Sequence, residues 1–118
     1  EVPRSYDGHY YLTLTADGTP VNFVVDTGAT DIVLSREDAA RVGIDLNKLI
    51  FTGLANTANG TVRTARTKVA TLELGPITDR NVPVWVNDGE MSGSLLGMAY
   101  LHRFKTLQIS GNTLTLER

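Results

Sequence analysis

Phe23-Val24-Val25-Asp26-Thr27-Gly28-Ala29 is the stretch on which the fold turns. Three apolar residues with no polar one between them predict a short strand whose two faces are both covered by protein. Asp26 follows at the strand's end, where an unpaired charge is costly to bury. Thr27 adds a hydroxyl that both donates and accepts, and Gly28 lets another backbone approach without a Cβ in the way. A carboxylate held rigidly in a partly desolvated place suits general acid–base work. The same triplet is also ordinary turn chemistry, since Asp and Gly both favour turns. A third reading is an aspartyl-phosphate nucleophile. That chemistry calls for a parallel sheet with crossover helices and metal-binding partners, and the surrounding chain does not supply them.

Working outward, short strands dominate. Residues 10–15 alternate in strand-forming types, Asp17-Gly18 marks a hairpin, and residues 21–25 return to Asp26. Residues 31–34 form a further strand. The one clear helix lies between Ser35 as N-cap and Gly43 as terminator, with Asp38 placed for a capping-box-like pair. Asn59-Gly60 is a strong hairpin signal. Its arms, 54–56 and 62–64, carry so little apolar surface that the hairpin is expected to project and move. Strands follow at 67–74 and 81–86 through Gly75-Pro76, with a loop over 87–94. Ser94-Leu95-Leu96-Gly97-Met98 reads as another apolar strand, 97–104 as a short helix, and 104–109 with 113–116 as a last hairpin. Many short strands, frequent turns and little helix predict an all-β barrel or sandwich. Residues 1–8 read as a linker or N-terminal arm, and 9–118 as a single domain.

Composition bounds the function. At 118 residues, the chain holds one modest core, and 42% hydrophobic with 20% charged residues describes an ordinary globular protein. A net charge of −2 without a basic cluster excludes nucleic acid as the expected partner. The lack of cysteine excludes disulfides and thiol catalysis. His9 and His102 lie far apart and nothing has metal-ligand spacing, so neither a metal nor a cofactor is expected. No apolar run reaches the roughly 20 residues of a membrane span. The chain starts at Glu1 rather than Met, as expected of a processed or truncated piece, which leaves open whether an N-terminal anchor or signal precedes it in the full-length protein.

Four features in one order make the chain resemble the retropepsin-like aspartic proteases, most closely their bacterial branch. Val25-Asp26-Thr27-Gly28-Ala29 is similar to the catalytic Asp-Thr-Gly of that family. The hairpin at Asn59-Gly60 sits where the family has its flap. Leu95-Leu96-Gly97 matches the strand that cradles the catalytic loop, and 97–101 matches the short C-terminal helix. The resemblance implies a closed barrel with a flap hairpin and one or two short helices. It further implies an aspartic endopeptidase that hydrolyses peptide bonds with a water activated by two Asp26 carboxylates, one from each chain of a homodimer. Asp26, Thr27 and Gly28 would form the catalytic loop. Val24, Ala29, Thr30 and Leu95 would meet the substrate, with Ala58, Asn59 and Gly60 closing over it. For Val24 and Leu95, plain core packing is the alternative. Thr30 and Met98 stand where viral members pair an acid with an arginine; with both charges gone, no unpaired buried charge remains, and the dimer is expected to be weak. Bacterial members imply a location outside the cytoplasm, in the periplasm, tethered to the inner membrane. The competing class is a non-catalytic barrel module for binding or dimerisation.

Overall fold

The computed structural model describes residues 2–57, 60–89, 91 and 93–118. Strands β1 (Val2–Pro3), β2 (Tyr11–Ala16), β3 (Thr19–Val25) and β4 (Ile32–Leu34) lead into helix α1 (Arg36–Val42) and a 3₁₀ turn (Leu46–Lys48). Then come β5 (Gly53–Thr57), β6 (Gly60–Leu74), β7 (Ile77–Asn87), β8 (Ser94–Leu96), helix α2 (Met98–Leu101), β9 (Thr106–Ser110) and β10 (Thr113–Glu117). One sheet runs β2-β3-β8-β4-β7-β6-β5, and β2 also pairs with β6 through Thr15↔Glu73 and Ala16↔Leu72. That second pairing closes β2, β3, β8, β4, β7 and β6 into a barrel and leaves β5 outside it.

The closure has a local cause. Asp17 and Gly18 both take positive φ, 47° and 84°, the backbone of a tight two-residue hairpin turn. The same turn is pinned to β6, where Asp17 Oδ1 accepts from Thr71 N at 2.9 Å and Asp17 N donates to Thr71 O at 3.0 Å. Strand alternation fills the barrel. Leu12, Leu14 and Ala16 point inward from β2, and Val21 and Phe23 from β3, to meet Val69, Leu72, Val82, Val84 and Leu96. The other face of β3 is open: Pro20 and Asn22 are exposed, and Val24 is only partly buried. This corrects the expectation that both faces of the strand would be covered. The unbroken apolar run reflects a half-exposed Val24 on the strand's outer face rather than a second layer of protein.

Helix α1 ends as the sequence suggests and starts with a variation. Ser35 Oγ accepts from Asp38 N at 3.1 Å, and Gly43 closes the helix at φ 103°. The Asp38 carboxylate does not reach back to the N-cap. It accepts instead from Arg41 Nη1 and from Ser94 Oγ, each at 2.7 Å. The hydroxyl of Ser94, fully buried, also accepts from Ser35 N at 3.1 Å and so ties α1 to β8.

A second, three-stranded sheet, β1-β10-β9, gathers both ends of the described chain. Val2 pairs with Leu114 and Pro3 with Thr113, where the sequence suggests only a linker or arm. Asp79, buried on β7, anchors this end: Arg118 Nη2 donates to it at 2.6 Å and Arg103 Nη1 at 3.4 Å. The hydrogen bond from Arg118 holds the Asp79 carboxyl below its ordinary value of 3.8 despite burial. A depressed folded value means that the contribution is fully present above the unfolded pKa and is lost as pH falls through the folded one. Asp79→Asn should therefore cost about 1–2 kcal/mol near neutral pH, allowing for the partial exposure of both arginines. Its difference from the parent in urea unfolding should shrink below about pH 4. A difference that stays constant down to pH 2 would contradict this.

Candidate active site

Asp26 stands one residue beyond β3, and its backbone is fixed before its side chain is considered. Its N–H donates to Leu96 O at 2.9 Å, continuing the parallel pairing Val24↔Leu95 and Val25↔Leu96. The chain then turns tightly: Gly28 N donates to Asp26 Oδ1 at 2.9 Å and Ala29 N to Asp26 O at 3.2 Å. One carboxylate oxygen is thereby oriented by the loop's own backbone, and the carboxylate itself is only partly buried. Thr27 and Gly28 are exposed at the tip.

After the turn, the chain comes back as β4 on the other side of β8, with Ile32↔Leu96 and Val33↔Leu95 antiparallel. Strand β8 thus passes between the two arms of the Asp26 loop. The residues after β8 lock that loop from behind. Gly97 N donates to Asp31 O at 3.0 Å, Met98 N to Ala29 O at 2.9 Å and Ala99 N to Thr30 O at 2.7 Å. Gly97 is a requirement of this closeness. A Cβ there would lie 2.5 Å from Asp31 O and 2.7 Å from Ala29 O, both backbone atoms. Sequence reading singled out Leu95-Leu96-Gly97 as a cradle, and this contact is its physical content.

The remaining candidates divide. Ala29 is partly buried, and Thr30 is exposed and joined to α2 through its carbonyl. Met98 packs against the core edge, so backbone hydrogen bonds hold together the two segments that carry Thr30 and Met98. Val24 and Leu95 are partly buried neighbours on paired strands, outside the fully buried core. Gly60 opens β6 at φ 107° and forms the last pair of the β5–β6 hairpin, whose register runs from Gly53↔Thr64 to Thr57↔Gly60. Leu54 in the hairpin's outer arm is 73% exposed, as expected of a strand pair standing clear of the barrel. Ala58 and Asn59 lie outside the described residues. Among the described residues, no group of three or more His, Asp or Glu is placed to hold a metal, and no helix is long and apolar enough to cross a membrane. The sequence shows Ser94 only as the start of an apolar strand, with no local signal that its hydroxyl fixes β8 against α1.

Comparison with known proteins agrees with this arrangement. Residues 12–103 match the family model described as "gag-polyprotein putative aspartyl protease". An uncharacterized protein of Rickettsia prowazekii is 40% identical over 115 residues, 98% of this chain and 49% of its own length. One of a Sinorhizobium species is 39% identical over 114 residues, 96% of this chain and again 49% of the relative. The chain therefore spans about half the length of these curated relatives. Among solved structures, a retropepsin-like aspartic protease from Rickettsia conorii superposes with a TM-score of 0.89 at 38% identity, covering 98% of this chain and 86% of the other. The EIAV protease, solved with the inhibitor HBY-793, shares the fold at a TM-score of 0.69 and 21% identity, covering 84% of this chain and 90% of its own.

Proposed function

Since the chain belongs to the gag-polyprotein aspartyl protease family, we propose that it is an aspartic endopeptidase whose active unit is a homodimer with Asp26 of each chain at the centre. The observation that carries this is the Asp26 loop, with its carboxylate oriented by Gly28 N and its backbone braced by β8 and Gly97. A barrel kept only for binding has no use for a carboxylate held in this way.

The chemistry needs two carboxylates sharing one proton. One takes a proton from the water as its oxygen attacks the scissile carbonyl carbon, while the other gives its proton to the carbonyl oxygen. The tetrahedral intermediate then collapses, the C–N bond breaks, and a proton passes to the departing nitrogen. Two close carboxylates do not both ionise readily, so the pair titrates with split apparent values and activity should peak on the acid side of neutrality. Each chain contributes one Asp-Thr-Gly, so the second carboxylate comes from a second copy across an isologous interface. Thr27, exposed at the loop tip, would brace the two loops across that axis. The β5–β6 hairpin would close over an extended peptide.

Dependence on a dimer has a direct readout. Specific activity should fall on dilution through the dimer's dissociation constant. Excess Asp26→Asn chains mixed with wild type should poison activity beyond simple dilution, because mixed dimers lack one carboxylate. Constant specific activity with no poisoning would mean that a single chain suffices. A peptide library left uncut by the folded, concentrated protein would favour the binding-module reading instead.

A further inference from the structure

A groove of about 570 Å³ lies on the outside of the barrel, and Val24, two residues before Asp26, is part of its lining. Its floor is the outer face of the β2–β3 hairpin, where Tyr11 pairs with Val24 and Thr13 with Asn22. Asp7 stands beside Tyr11, the strand partner of Val24, and Gly93 with the Asp38–Arg41 pair of α1 completes the lining. Because side chains alternate along an extended chain, a peptide held at Asp26 that places one side chain against Val24 can direct another, two residues along, into this groove.

The charges in the groove are unequally committed. Arg41 is engaged twice, Nη1 with Asp38 at 2.7 Å and Nη2 with Pro20 O at 2.8 Å. The other oxygen of Asp38 accepts from Ser94 Oγ at 2.7 Å. Asp7 accepts hydrogen bonds from the Tyr11 hydroxyl and, at 3.0 Å, from His9 N, but has no Arg or Lys ion pair among the described residues. Those bonds, the Tyr11 hydroxyl first, hold the Asp7 carboxyl below its ordinary value, so it stays ionised on the acid side of neutrality where a proton-sharing dyad works.

We propose that this groove is an extended specificity subsite that takes an arginine or lysine side chain of the polypeptide substrate, recognised by the fixed carboxylate of Asp7. The proposal rests on the protease reading for its substrate. An acidic side chain would meet a like charge there, and an apolar one would leave the carboxylate's remaining acceptor sites to water.

The test is a positional scan of one cleavable peptide carrying Arg, norleucine or Glu at each position flanking the scissile bond. At one position kcat/KM should favour Arg over norleucine about three- to fivefold, the range of an exposed ion pair, and over Glu by about tenfold or more. Asp7→Asn should bring the Arg-to-norleucine ratio at that position close to one. Glu73→Gln, an exposed acid on β6 outside the groove, should leave it intact. Absence of the preference, or its persistence in Asp7→Asn, overturns the proposal. The same ratios are read as affinities with fluorescent peptides bound to Asp26→Asn and to Asp26→Asn/Asp7→Asn. Lack of turnover together with an Asp7-dependent affinity for Arg would overturn the protease reading and keep the subsite; lack of both would remove the two together.

Discussion

Asp26→Asn is expected to lower peptide hydrolysis by at least about 10³-fold, to the floor of a fluorogenic assay, while the melting temperature moves by no more than a few degrees. The size of the loss follows from asking one group to serve in proton transfer at both stages of the reaction, a role commonly worth about 10²–10⁴ in rate. The small structural effect follows from geometry. The native oxygen Oδ1 accepts from Gly28 N at 2.9 Å, and an asparagine carbonyl oxygen in the same place accepts the same hydrogen bond. The backbone contacts from Asp26 N to Leu96 O and from Ala29 N to Asp26 O do not involve the side chain. A folded variant with comparable turnover would remove Asp26 from the chemistry and with it the proposed function.

Gly97→Ala should be the most damaging small substitution in the chain. The added methyl would sit 2.5 Å from Asp31 O, 2.7 Å from Ala29 O and 2.8 Å from Ala29 C. None of these is the end of a flexible side chain, so relief requires moving the loop that carries Asp26 or displacing β8 from between β3 and β4. Overpacking of this kind costs about 1–3 kcal/mol, which for a domain of this size corresponds to a fall of roughly 5–15 °C in melting temperature. Because the strain falls on the loop that carries Asp26, the proposed activity, measured well below the new melting temperature, should drop further than stability explains. Gly93→Ala is the matched control for stability: its methyl would meet nothing within 4 Å, and its melting point should hardly change. Equal melting points for the two variants would mean that the loop yields easily and that its bracing is not what Gly97 supplies.

What could be read in the chain, and what could not, follows the range of the interactions involved. Asp17-Gly18, Ser35 with Gly43, and the Asp26 triplet act through neighbours a few residues away, and the fold places each as its local chemistry suggests. Strand β6 was legible only in pieces, because Thr61, Arg63 and Arg66 give its first half no apolar alternation while that half leaves the barrel. The pairing of Val2–Pro3 with β10 depends on a partner more than a hundred residues distant and leaves no local trace. The Asp79–Arg118 contact spans 39 residues, and nothing beside Asp79 announces a buried carboxylate. The groove at Asp7 likewise needs the β2–β3 register and the placement of α1, so no local pattern joins Asp7 to Val24 and Arg41.

Strand β6 carries a further consequence. Its 15 residues begin at Gly60 in the projecting hairpin, pass Thr64↔Asn87 into the barrel wall, and reach Leu72, where β2 closes the circle. A single uninterrupted strand is therefore expected to open in more than one unit. Near Leu72 its amides are flanked by buried partners, whereas near Gly60 they are backed by β5 alone. Amide exchange along it should be graded, from protection comparable to global unfolding at Val69 and Leu72 to rapid, local release at Thr61 and Val62. If a peptide binds beneath the hairpin as proposed, that gradient should flatten from the exposed end, and the strand would then be a built-in gauge of occupancy, legible one amide at a time.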